Sequence, residues 1–90
     1  MFINLDHCFK KNNEIISKKL GEEISLIDPY RQRLIKLNPM AAEIWALLDE
    51  GHSVSRIIGT IQEKFEVGKE VAERDALDFL KELLRREIIY

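Results

Sequence analysis

The dipeptide Asn38-Pro39 divides this chain into two kinds of sequence. Asparagine is a favoured N-cap because its side-chain oxygen accepts a free amide of the first helical turn. Proline at the next position loses nothing, since its missing N–H would have had no partner there. Behind the pair, Ala41, Ile44, Trp45 and Leu48 recur at helical spacing, and Gly51 ends the segment near Asp49. Ser53 can cap a second helix that puts Val54, Ile57, Ile58, Ile61 and Phe65 on one face, and Gly68 precedes a third. Ahead of the pair the pattern is different. Residues 15–20 and 23–28 are short and rich in β-branched side chains, and Gly21-Glu22 joins them, with glycine able to take the positive φ of a tight hairpin. Asp28-Pro29 opens a second turn, and residues 33–37 form a third strand. The expected fold is α+β: a three-stranded antiparallel meander (15–20, 23–28, 33–37) packed on three helices (39–49, 54–65, 69–86), with Ile88-Ile89-Tyr90 as a short tail.

Ninety residues fit one domain, 1–90, with one core. Charged residues make up 33% of the chain, so the surface must be dense in ions. The signs are unevenly placed. Residues 1–37 carry seven Lys/Arg and five Asp/Glu, whereas residues 38–90 carry seven and eleven. A nucleic-acid binder concentrates positive charge on the face that meets phosphate. Residues 69–87, which would form the reading helix of a winged-helix regulator, hold six acidic and five basic side chains. Such a DNA-binding regulator is the competing reading, and this charge balance speaks against it. No apolar run approaches the roughly 20 residues of a membrane span, and no secretory signal is visible, so a cytoplasmic protein is expected.

The residues do not point to catalysis. Cys8 is the only cysteine and His7 its neighbour, while His52 lies far off in a turn, which leaves no four-ligand metal spacing. The serines fit strand, cap and turn roles, and the glycines at 21, 51, 59 and 68 are too scattered for a phosphate loop. Neither an enzyme nor a cofactor is indicated.

On the third helix, Ala72, Ala76, Leu77, Phe79, Leu80, Leu83 and Leu84 span about half the circumference at 100° per residue. A surface helix needs a stripe somewhat over 100° wide. Phe79 and Ala72 sit at one margin of that arc, beside Asp75, Glu82 and Arg86. Two explanations stand open: the helix is central and covered on both sides, or its Phe79 margin lines a groove open to a ligand.

The string at 35–51, Ile-Lys-Leu-Asn-Pro-Met-Ala-Ala-Glu-Ile-Trp-Ala-Leu-Leu-Asp-Glu-Gly, resembles the signature of the PqqD-like family. There a strand ends in Leu-Asn-Pro and runs into a helix bearing Ala, Ile, Trp and Leu-Leu-Asp. Arg74-Asp75, Phe79-Leu80 and Leu83 look like that family's third helix, and the likeness covers about residues 14–90. Arg86-Glu87-Ile88 departs from it, since the family often has glycine before the final apolar pair. The resemblance implies a winged-helix-like module that recognises the leader of a ribosomally made precursor peptide. The leader adds as a strand beside the third strand, in a groove walled by helix three. It implies as partners a precursor leader peptide and a peptide-modifying enzyme, either a radical-type enzyme of quinone-cofactor biosynthesis or a lasso-type leader protease. No nucleic-acid or membrane partner is implied.

Placed on this chain, the backbone of Arg33, Leu34, Ile35 and Lys36 is expected to pair with the leader. Phe79 supplies an apolar contact, and Asp75, Asp78 and Glu82 set polar selectivity. An edge strand offers unpaired N–H and C=O groups that a protein must protect or use. Arg33 and Lys36 are therefore either protective edge charges or attractors of an acidic leader. A scaffold that only docks on a larger protein is a third possibility.

Overall fold

The computed structural model describes residues 2–90. Strands β1 (Ile16–Leu20), β2 (Glu23–Asp28) and β3 (Arg33–Leu37) form one antiparallel sheet in the order β1-β2-β3. Helices α1 (Pro39–Asp49), α2 (Val54–Lys64) and α3 (Lys69–Arg85) follow. The expected architecture is therefore present, and its element ends differ by one residue at most. Ile15 precedes β1, Phe65 caps α2, and Arg86 caps α3.

Local chemistry sets each boundary. Gly21 has φ +64° and Glu22 keeps a negative φ, so the first hairpin uses a II′ turn, whose twist matches that of the strands. In the second loop Asp28 Oδ1 accepts the amides of Tyr30 and Arg31 at 3.2 and 3.1 Å, and Gln32 takes a positive φ of 52° before β3 begins. Asn38 Oδ1 accepts Ala41 N–H at 2.8 Å and Ser53 Oγ accepts Arg56 N–H at 3.2 Å, so both expected N-caps form.

The core lies between the inner face of β2 and β3 and the three helices. Leu26, Ile44, Val54, Ile57, Ile61, Leu80, Leu83 and Ile88 are its largest fully buried side chains. Trp45 is buried too, with the Lys11 ammonium 3.9 Å from its ring centroid and bonded to Asp49 at 2.6 Å. Burial pushes the Lys11 ammonium below its ordinary pKa, against the pull of Asp49.

The tail docks on the N-terminal segment, which sequence periodicity left without structure. Lys10 and Tyr90 exchange both backbone bonds at 2.8 Å, and Asn12 N–H donates to Ile88 C=O at 2.8 Å. Ile3 and Phe9 enter the core, while His7 and Leu5 carbonyls accept the amides of Val54 and Ser55 at the start of α2. The first dozen residues thus strap the tail and one helix start in place.

Candidate functional site

β3 has a partner on one side only. The register places Ile24 opposite Leu37, Leu26 opposite Ile35, and Asp28 opposite Arg33. The II′ turn makes Leu20–Glu23 a hydrogen-bonded pair. Bonded and non-bonded pairs alternate across an antiparallel sheet. The backbone groups of Arg33, Ile35 and Leu37 accordingly face β2, and those of Leu34 and Lys36 face away. Among the described residues no other backbone segment pairs with that outer edge.

Helix α3 stands opposite the edge but at a distance. No Cα of α3 lies within 8 Å of one in β3, so no α3 backbone occupies the gap beside β3. A sheet strand needs about 4.8 Å of lateral room beside its neighbour. The two elements run in opposite senses along this gap. Arg33 of β3 meets the end of α3, while Asn38 lies near its middle.

The Asn38 end opens into a recess of about 340 Å³ lined by Asn38, Met40, Ala41, Ile44, Asp75, Asp78 and Phe79. Ala72, Ala76, Leu80 and Leu83 of α3 are completely buried, whereas Phe79 is half-buried at the margin of that face. Both explanations of the wide apolar arc are thus partly realised: the helix is central, and its Phe79 margin faces the groove. Asp78 has no ion-pair partner among the described residues, and Asp75 meets only Arg74 Nε at 3.4 Å. The apolar floor therefore carries an acidic rim in which Asp78 is unpaired among the described residues.

The opposite end is tied. Arg33 Nη2 donates to Asp28 Oδ2 at 3.0 Å and to the Arg86 carbonyl at 2.7 Å. Asp28 is 3% exposed, and the Arg33 hydrogen bond, opposed by burial and helped by Arg31, holds its carboxyl down at about 2. Glu82 is bonded to Arg86 Nε and Arg85 Nη1, both at 2.6 Å, and the Arg86 bond lowers its pKa below the ordinary value.

The expected site residues thus fall into three groups. Leu34 and Lys36 turn their backbone groups to the free edge, whereas Ile35, expected to pair with the guest, turns its own towards β2. Asp75, Asp78 and Phe79 form the open wall, whereas Arg33 and Glu82 belong to the tied end, with their charges engaged locally. Asn38, Met40, Ala41 and Ile44 were not in the expected set. Their signal was present in the cap itself, because the first turn of α1 necessarily borders whatever lies beyond the end of β3.

His7 stacks edge-on with Phe9 at 4.4 Å, and His52 Nε2 lies 3.2 Å from Glu50. No group of three metal-ligating side chains occurs among the described residues.

A three-stranded sheet with one unpaired edge, packed on three helices with the Phe79 margin of α3 beside an open recess, defines a module of the α+β class. Comparison with known proteins agrees with that class. The sequence profile described as Coenzyme PQQ synthesis protein D (PqqD) matches residues 23–89, and the chain belongs to the PqqD family. Two solved structures are similar to it. TbiB1 in complex with the TbiA(beta) leader peptide is 28% identical with a TM-score of 0.81, covering 89% of this chain and 93% of that one. Lasso peptide synthetase B1 complexed with its leader peptide is 25% identical with a TM-score of 0.84, covering 93% and 99%. No curated protein matches.

Proposed function

We propose that this protein binds the leader segment of a ribosomally synthesised precursor peptide by strand addition to β3 and presents it to a processing enzyme. The observation that carries this reading is the free outer edge at Leu34 and Lys36, with which no other backbone segment pairs among the described residues. The two similar structures, each a leader-peptide complex, support it.

Leu34 and Lys36 each offer one N–H and one C=O outward, so about four backbone bonds of roughly 0.5–1.5 kcal/mol are available. With one or two side chains seated in the recess, and the ordering cost of a flexible peptide set against them, micromolar affinity, about -8 kcal/mol, is expected. Backbone pairing is indifferent to sequence, so selection rests on Phe79, Asp75 and Asp78. Because the Arg33 charge is engaged by Asp28, the groove's free charges are acidic, and a guest with a basic side chain over the recess is favoured. Lys36 remains as the exposed cation of the edge.

The likeness to a lasso peptide synthetase component favours a leader protease over a radical enzyme as the partner served. A DNA-binding role has less support, since α3 carries Glu70, Glu73, Asp75, Asp78 and Glu82 along its length. To test the reading, the protein is panned against a random-peptide display library and titrated separately with labelled duplex DNA. Enriched extended peptides that bear a basic residue, with the preference weakened in Asp75→Asn/Asp78→Asn, are expected. Tight, salt-sensitive DNA binding with no peptide enriched would replace peptide capture with the regulator reading.

A further inference from the structure

The two ends of the groove are built differently. At the Asn38 end no side chain bridges β3 to α3 among the described residues, and the recess is open. At the other end one side chain spans the mouth: Arg33 reaches from the first residue of β3 to the carbonyl of Arg86, the C-cap of α3. The same tie is braced from three sides. Asp28 fixes the guanidinium, Arg31 pairs with Glu87, and Asn12 Nδ2 donates to the Glu87 carbonyl at 3.0 Å. Arg33 Nε is buried with no acceptor among the described residues.

We propose that Arg33 is a positioning residue that stops strand addition at one end and so fixes the guest peptide's register. This rests on the peptide-binding reading above. Sheet register is weakly specified wherever a strand edge runs on without a barrier, because a slip of two residues restores the same facing. A guest can continue past Leu37 towards Asn38, but past Leu34 it meets the bridge between Arg33 and Arg86. The stop converts a slippery edge into one with a defined origin, and it places one guest side chain over the Asp75–Phe79 recess.

The test uses a peptide enriched by the wild-type protein from the random library, isotopically labelled, with full-length Arg33→Ala, Arg33→Lys and Arg31→Ala. Arg31 shares the ion cluster but does not bond to the Arg86 carbonyl, so a merely structural role would move both positions alike. The wild type and Arg31→Ala are expected to give one set of bound-peptide resonances. Arg33→Ala is expected to give doubled resonances from slipped registers, because the stop is gone while the guest keeps its own contacts. Arg33→Lys, which retains a donor of similar reach, restores the single set. A single set in Arg33→Ala would overturn the proposal, as would equal doubling in Arg31→Ala. A wild-type protein that enriches no peptide defeats the peptide-binding reading itself, a result visible before any variant is made.

Discussion

The carboxylate of Glu87 pairs with Arg31, 56 positions earlier in the chain, while the Glu87 backbone holds a left-handed φ of 59°. This position closes α3 in a Schellman-like turn, with Ile88 N–H on Leu83 C=O at 2.9 Å and Glu87 N–H on Leu84 C=O at 3.0 Å. Glycine is the residue that usually takes such a conformation at no steric cost. Glu87 therefore holds a conformation that favours glycine, and an ion pair to the β2–β3 loop offsets the strain.

Replacing Glu87 by Gly relieves about 1 kcal/mol of backbone strain and forfeits an exposed ion pair worth roughly 0–1 kcal/mol. Glu87→Gly is expected to melt at the same temperature as the wild type or slightly above it. A clear fall in Tm would show that the Arg31 contact matters more than the backbone.

Proline scanning separates the two sides of β3. Leu34 points its N–H at the free edge, so Leu34→Pro removes no ladder bond, whereas Ile35→Pro deletes one to Leu26. The first variant is expected to stay folded but lose peptide binding, and the second to unfold or melt far lower. Circular dichroism and a peptide titration check both. Unimpaired binding by a folded Leu34→Pro protein would place the guest elsewhere.

Phe79→Ala is expected to weaken peptide binding by roughly tenfold or more, while costing less than the roughly 3–5 kcal/mol of a fully buried aromatic. Trp45→Ala, at a side chain only 5% exposed, is expected to pay that full amount and to abolish binding by unfolding. Equal affinity in Phe79→Ala would remove the ring from the site.

Asp28 gives the fold an acid-sensitive point. Its native pKa of about 2 lies below the ordinary 3.8, so the unfolded chain takes up the proton first as pH falls. The stabilisation is complete above the ordinary value and is lost on descending from 3.8 to about 2. Thermal melts across that window should fall more steeply for the wild type than for Asp28→Asn. Parallel curves would mean that the carboxylate is not held by Arg33 and Arg31 in the native state.

Most of the fold was legible because its signals are local. Gly21, Asn38-Pro39 and Ser53 each act within a few residues, and the structure places a turn or cap at every one. The wide arc on α3 was legible as well, although periodicity alone did not tell a covered margin from an open one. What stayed hidden was long-range. The pairing of residues 10–12 with 88–90 leaves no periodic trace in either segment. Arg33 read as an edge charge because only the folded chain brings Asp28 and Arg86 to its guanidinium. Asp28 itself read as a turn former, which it is, but its burial depends on partners on both sides of the loop.

Amide hydrogen exchange along β3, with and without a library-selected peptide, addresses the guest strand directly. In the free protein the amides of Ile35 and Leu37 should be protected by β2, and those of Leu34 and Lys36 should exchange quickly. Saturating peptide should slow Leu34 and Lys36 and leave the other two little changed. Exchange at Leu34 and Lys36 that stays fast with the peptide bound would contradict strand addition at this edge.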